Sequence, residues 1–294
     1  MQHKKGTHPV RNTILVMLLL LIIGGLAYGM SRYRSLKNSV NSSFKASGLT
    51  KERNVTNQLS SKKPISILLL GTDTGSFGRS DRGRTDSMMV VTINPKINKT
   101  TVTSVPRDTA VSIPGYTSDS PSKINAAYAW GGTKTTIKTV QKMLNIPIDF
   151  YALVNLGGLK KVVNKVGGVD VTPTLSFSNL GYTFKKGIKT HMNGKKALAY
   201  VDMRYKDPQG DYGRQTRQRS VLMAIVHKTG SVSALLNQEF IDSISSETQT
   251  DLTFDDLTMI AKDYRTATKN VKQTHLQGTG KELNDQSMEV MKKS

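Results

Sequence analysis

Ile65 to Gly71 reads ISILLLG, an apolar run without alternation that ends on glycine. A stretch of this length and pattern marks a strand buried on both faces. Ser87 to Ile93, SMMVVTI, repeats the pattern; NPKINKT then reads as a turn and Thr101 to Val105 as a third strand. The period then changes. Ile137, Val140, Met143 and Leu144 recur at helical spacing in GGTKTTIKTVQKMLN. DFYALVN is strand-like, LGGLKKVVNKVGG helical and VDVTP a short strand, while NGKKALAYV and DYGRQTRQRSVLMAIVHKTG are helical. FDDLTMIAKDYRTATKN reads as a late helix and VKQTHLQG as a last strand. Strands alternating with helices predict an α/β fold around a central sheet.

Ahead of these elements, Ile14 to Met30 holds 17 residues without a charge. About 20 apolar residues span a bilayer, with roughly 17 as the lower limit. The stretch reads as an uncleaved transmembrane helix, with a signal-peptide core as the competing reading. The basic residues flanking it are nearly balanced, and a long domain translocates largely regardless of them, so an N-in, C-out orientation is expected. The expected organisation is a short cytoplasmic tail over 1–12, a membrane helix over 13–30, a polar and partly helical stalk over 31–63, and an extracytoplasmic domain over 64–294.

Charge changes the picture. The formal net charge is +21 across 294 residues, which points to an anionic partner. There is no cysteine, so disulfides, zinc–thiolate sites and thiol nucleophiles are excluded. No helix-turn-helix or aromatic RNA-binding signature accompanies the charge, and no nucleic acid is expected as partner.

Three charged constellations sit at element ends. Asp73 follows the first buried strand and Asp86 opens the second, beside Arg84. If the two strands run antiparallel, both carboxylates reach one sheet edge, where a hard divalent cation relieves their repulsion. Turn capping or pairing with Arg79, Arg82 and Arg84 is the competing reading. SVPRD puts Arg107 and Asp108 at the end of the third strand, where ligands gather in open α/β sheets. In VDMRYKDPQGDYGRQTRQRS, Asp211 is expected to cap a helix on which Arg214 and Gln218 share the buried stripe. A cation at a helix N-terminus opposes the helix dipole, and a phosphate there makes sense of it. Arg217 and Arg219 are expected to solvate the outer face. Together the cluster reads as a site for a multiply charged phosphate ligand, because the guanidinium fork grips phosphate oxygens in pairs.

The segments ILLLGTD, GRTDSMMVVTINP, TVTSVPRDT, KINAAYAWGG, LVNLGGLKKVVNKVGGVDV and GKKALAYVDMRYKDPQGDYGRQTRQRSVL resemble, in this order, the LytR-CpsA-Psr family. The resemblance implies an α/β/α sandwich, a three-layer arrangement around a central mixed sheet, with an apolar tunnel for a prenyl chain between sheet and helices. It implies a membrane-anchored extracytoplasmic enzyme of Gram-positive bacteria. That enzyme would move a glycopolymer (teichoic acid, capsule or another wall polysaccharide) from undecaprenyl pyrophosphate onto peptidoglycan. By the same resemblance Asp73 and Asp86 are magnesium-associated, Asp86 and Arg107 catalytic, and Arg84, Arg107, Arg204, Arg214 and Gln218 contact the pyrophosphate. Asp202 departs from the family's pattern, which often has arginine there; an ion pair with Arg204 or Arg217 is its bland reading. A non-catalytic regulator of envelope genes and a polyprenyl-pyrophosphate hydrolase are the competing functions. Leu68, Leu70, Met88, Met89, Val154, Val163, Leu198, Leu222 and Ile225 are expected to line the tunnel or simply form core.

Overall fold

The computed structural model describes residues 33–72, 83–229, 242 and 247–291. The expected cytoplasmic tail and membrane helix, together with Asp73, Arg79 and Arg82, lie outside them. Among the described residues no helix is long and apolar enough to cross a membrane.

The centre is a six-stranded mixed sheet. Its strands are β1 (Ile65–Thr72), β2 (Thr85–Asn94), β3 (Lys99–Ser104), β6 (Phe150–Asn155), β11 (Thr248–Thr250) and β12 (Val271–His275), in the order β11-β6-β1-β2-β3-β12, while the short β4 (Ala110–Val111) and β5 (Ser122–Lys123) pair outside it. The first two buried strands pair antiparallel, the arrangement on which the meeting of carboxylates is conditional, running from Ile65↔Ile93 to Thr72↔Thr85. β6 lies parallel to β1 and β12 parallel to β3, so β1, β3, β6 and β12 all end at one sheet edge. At Gly71 the approach is tight: a Cβ there would stand 2.9 Å from the Ser87 Cβ.

The apolar runs lack alternation because both faces are covered. Leu68, Leu70, Met88, Val90, Tyr151 and Leu153 pack with Ile137 and Val140 of α3 (Ala126–Leu144). Ile65, Ile93 and Phe150, from the other face, pack with Leu59 of α2 (Val55–Ser60) and Ile260 of α7 (Phe254–Asp263). A separate core joins α4 (Leu156–Lys165), α5 (Gly194–Asp202) and α6 (Asp211–Thr229). It also takes in β7 (Val169–Val171), β8 (Phe177–Asn179), β9 (Tyr182–Phe184) and β10 (Thr190–Met192). Leu68, Leu70, Met88, Val163 and Ile225, expected as tunnel or core, are packed within these two cores.

Packing extends upstream of Pro64. A helix over residues 33–42, α1, sets Val40 against Phe254. Arg53 and the backbone N–H of Ser66 both serve the buried Asp149 carboxylate. Lys51 pairs with Asp251, which also accepts from the Tyr151 N–H at 2.8 Å. The polar character of residues 31–63 therefore hides a short set of anchors, and charge pairing at the sheet does the work that apolar residues would do elsewhere.

Two elements depart from the expected boundaries. The late helix stops at Asp263 and continues as a 3-10 turn over Arg265–Lys269. Downstream of β12, a hairpin of β13 (Gly278–Leu283) and β14 (Gln286–Met291) appears where no element was read. Its largely polar, half-exposed strands give no periodic signal, and of their residues Met288 alone is sealed inside.

Candidate active site

The edge where four strands end gathers the charged residues. Val105 continues the ladder past β3 by donating to the Met88 carbonyl at 2.9 Å. Two residues on, Arg107 comes level with Asp86, the second residue of β2, and its Nη1 donates to Asp86 Oδ1 at 2.7 Å. Asn125 Nδ2 reaches the same oxygen at 3.4 Å. On the far side, the first turn of α6 delivers Arg214, whose Nη2 donates to the Asp86 carbonyl at 3.1 Å. Asp211 lies between the two arginines, with its Oδ1 at 2.5 Å from Arg214 and 3.8 Å from Arg107. Asp108 holds Lys123 at 3.0 Å and Arg204 at 3.7 Å. Arg107, Lys123, Arg204 and Arg214 thus face Asp86, Asp108 and Asp211 within one cluster.

The electrostatics follow from burial. Burial works against the charge of Arg107, but the carboxylates of Asp86, Asp108 and Asp211 outweigh it and raise its pKa. Arg214 goes the other way: burial is the larger influence, Arg107 and Arg204 add repulsion, and its pKa is lowered despite Asp211 and Asp86. The Nε–H groups of Arg107, Arg214 and Arg219 are buried with no hydrogen-bond acceptor among the described residues. Unmet buried donors are costly, and an anion brought to this edge would satisfy those of Arg107 and Arg214.

The site residues expected from the sequence separate into three groups. Asp86, Arg107, Arg204 and Arg214 come together. Arg84 is exposed and Gln218 half-buried one turn further along α6, and among the described residues neither is hydrogen-bonded or ion-paired to the cluster. Asp73 lies outside the described residues. Magnesium can still be tested against the donors present. Among the described residues, both hydrogen bonds to the Asp86 carboxylate fall on Oδ1, which leaves Oδ2 there as a hard oxygen donor at a side chain 37% exposed. Among the described residues no group of three or more His, Cys, Asp or Glu side chains forms a metal cage. One or two carboxylates, with water and phosphate completing the shell, is how magnesium is usually held, and Asp86 fits that role.

Four expectations are corrected. Asp211 does not cap α6; it sits inside the first turn and accepts from Gln215 Nε2 at 2.8 Å, besides facing Arg214. Arg217 is not on an outer face. Its side chain is 2% exposed, pairs with Asp207, and donates to the Tyr200 carbonyl at 3.0 Å and to the Met203 carbonyl. Arg219 is buried too and donates to Ser104 Oγ at 2.7 Å. Asp202 forms no ion pair with Arg204 or Arg217; it is exposed and meets Asn179 Nδ2 at 3.5 Å.

Sequence reasoning missed Lys123, Asn125, Asp207 and the hairpin that braces the site. Glu289 of β14 donates its N–H to the Asp108 carbonyl at 2.8 Å and accepts from the Tyr212 hydroxyl at 3.1 Å. Lys123 and Asn125 stand in the KINAAYAWGG segment singled out above, but nothing in their spacing tied them to Asp108 and Asp86.

Comparison with known proteins agrees with this architecture. The chain belongs to the LytR_cpsA_psr family, whose model matches residues 30–294. Over 268 residues it is 44% identical to the polyisoprenyl-teichoic acid–peptidoglycan teichoic acid transferase TagU of Enterococcus faecalis, covering 91% of this chain and 86% of that one. The crystal structure of B. subtilis TagU superposes with a TM-score of 0.59 at 36% identity, over 79% of this chain and 91% of that chain. The structure of TagT bound to LIIa-WTA gives a TM-score of 0.68 at 29% identity, over 84% of this chain and 92% of that chain. The mixed α/β fold around a central mixed sheet is common to these proteins.

Proposed function

We propose that this chain transfers a teichoic acid or kindred wall glycopolymer from a polyisoprenyl pyrophosphate carrier to peptidoglycan. The observation that carries the reading is the convergence of Arg107 and Arg214 on Asp86, with buried Nε–H donors that meet no acceptor among the described residues at the edge where four strands end. The similarity to TagU and to TagT bound to LIIa-WTA supports the substrate class.

In this reading Arg107, Arg204 and Arg214 bind the pyrophosphate oxygens. A sugar hydroxyl of peptidoglycan attacks the phosphorus that carries the polymer, and the bond from that phosphorus to the bridging oxygen breaks. The carrier leaves as the lipid monophosphate, and the hydroxyl proton passes to a carboxylate of the cluster, Asp86 first among them. Asp86, with Asp73, would hold Mg2+, which when bound supplies charge neutralisation at the phosphate oxygens. Positioning and charge stabilisation carry most of the acceleration in phosphoryl transfer, so no covalent nucleophile is required. Arg107 suits the developing charge on the leaving phosphate because its neighbouring carboxylates keep it fully protonated.

The same proposal assigns residues 13–30 to a membrane anchor, residues 64–294 to the catalytic domain, and that domain to the outer face of the cell membrane, where lipid carrier and peptidoglycan meet. The test uses the full chain in detergent with magnesium, a lipid pyrophosphate-linked oligosaccharide and peptidoglycan oligomers. A product of the mass of polymer phosphate joined to muropeptide, formed together with lipid monophosphate, supports the reading. Free polymer phosphate with no conjugate contradicts it and identifies a hydrolase.

A further inference from the structure

The site uses only part of the charge excess. Residues 156–196 carry lysines 160, 161, 165, 185, 186, 189, 195 and 196 against a single carboxylate, Asp170. The fold collects them on the lobe built from α4, α5 and β7–β10. Gly194 at the start of α5 donates its N–H to Asn164 Oδ1 of α4 at 2.7 Å. A Cβ at Gly194 would collide with the Lys160 carbonyl, so the start of α5, which carries Lys195 and Lys196, lies against α4 at Lys160. Lys196 lies 6.0 Å over the Phe184 ring, next to Lys185 and Lys186, and Lys189 reaches Asp170 at 3.7 Å. Six of the eight are exposed, all but Lys160 and Lys196. Like charges at this density repel, and a solvated surface normally intersperses both signs.

This lobe is continuous with the site. α4 begins directly after Asn155, the register partner of Thr72, and Thr72 in turn pairs with Thr85 beside Asp86. Lys161 and Asn155 share the Glu247 carboxylate, at 2.7 and 2.5 Å. The lysines therefore start at the sheet edge where the arginines converge and lead away from it.

We infer that this face binds an acidic polymer with repeating phosphodiesters, the chain attached to the pyrophosphate, and so selects polyanionic over neutral glycopolymers. The inference rests on the function proposed above, since it makes the lysine face the path of the donor's polymer.

The test measures binding of lipid-free poly(glycerol phosphate) to the full chain in detergent across a salt series, with neutral dextran as the control polymer. Variants carry Lys185→Gln, Lys186→Gln and Lys189→Gln together, or Lys161→Gln and Lys165→Gln together; the matching arginine variants test for charge alone. Each ion contact contributes roughly 0.7 to the slope of log affinity against log salt, by analogy with single-stranded polyphosphates. The triple glutamine variant should lower that slope by about two, the arginine variants should retain it, and dextran should not bind. Unchanged affinity and slope in both glutamine variants overturn the inference. So does equal binding of dextran. Loss of binding to anionic phosphatidylglycerol vesicles, with polymer binding intact, also overturns it and assigns the face to the membrane. Polymer binding with the expected lysine dependence supports it whether or not transfer is seen, so failure of the transfer reading alone is distinguishable.

Discussion

Arg107 and Asn125 share one oxygen of Asp86: Arg107 Nη1 donates to Oδ1 at 2.7 Å and Asn125 Nδ2 reaches the same atom at 3.4 Å, so among the described residues Oδ2 receives neither. The pair thus gives a single carboxylate two tasks, one anchoring a guanidinium and one offering a hard oxygen donor.

That division sets an expectation for cation binding. Asp86→Asn keeps an acceptor for Arg107 in its amide oxygen but removes the negative charge that a divalent ion needs. Titration of Mn2+ as a paramagnetic stand-in for Mg2+ should give affinity at least about tenfold weaker in the variant. Equal affinity would show that Asp86 is not a ligand.

Arg217 predicts a stability effect. Its guanidinium is almost wholly buried, and Asp207 is its charge partner. Removing one member of a buried pair typically costs about 3–5 kcal/mol because the other charge is left uncompensated. Asp207→Asn should therefore lower the thermal midpoint by roughly 10 °C. Gly213→Ala should act through the same contact, since a Cβ at Gly213 would collide with the Asp207 carboxylate. The two losses should be less than additive. A calorimetric midpoint within a degree of wild type in Asp207→Asn would contradict the assignment.

The C-terminal hairpin should tune the reaction from outside the cluster. Glu289 holds the Asp108 carbonyl by its N–H and the Tyr212 hydroxyl by its carboxylate, and Gly278 donates its N–H to that same hydroxyl at 3.1 Å. Asp108 and the first turn of α6 are thereby fixed relative to each other. Glu289→Ala and Tyr212→Phe should each reduce kcat several-fold, with KM for the lipid donor nearly unchanged, because orientation and not ligand charge is disturbed. A rise in KM alone would place these residues in binding instead.

His275 gives the pH dependence. Burial first, and then the Arg219 guanidinium, hold its pKa below the ordinary value of 6.5. The folded state therefore prefers the neutral imidazole, so the stability it contributes is complete above about pH 6.5 and is lost as pH falls through the folded-state pKa. Urea unfolding at pH 7.5 and pH 5 should show a drop in wild type that His275→Gln makes shallower. Identical pH dependence in the two proteins would count against the role of His275.

The apolar runs made the central sheet legible, because strands covered on both faces lose their alternation and stand out as Ile65–Gly71 and Ser87–Ile93. Their antiparallel pairing stayed conditional in the sequence, and the contact of Asp86 with Arg107 is a finding of the structure. Charge was harder to read. Arg217 and Arg219 read as solvent-facing from their charge, although Arg217 stands one turn before the buried Val221, and α6 is covered on both of those sides. Carbonyls of Tyr200 and Met203, the Ser104 hydroxyl and the Asp207 carboxylate supply the polar partners that make their burial tolerable. Those partners lie outside α6, in the segment just before it and, for Ser104, at the end of β3, so the pattern of the helix alone does not reveal them. The hairpin over Gly278–Met291 escaped for a related reason: its stability comes from docking on the Asp108 segment, and its own residues are mostly polar.

The central claim is that Arg107 stabilises charge on the departing lipid phosphate. Its most direct test is single-turnover transfer of a lipid pyrophosphate-linked oligosaccharide to peptidoglycan oligomers by Arg107→Ala and Arg107→Lys, beside thermal unfolding of both. The account predicts loss on the order of 10³-fold in Arg107→Ala, partial recovery in Arg107→Lys, and a thermal midpoint close to wild type. A folded Arg107→Ala protein that forms the conjugate at the wild-type rate would contradict it.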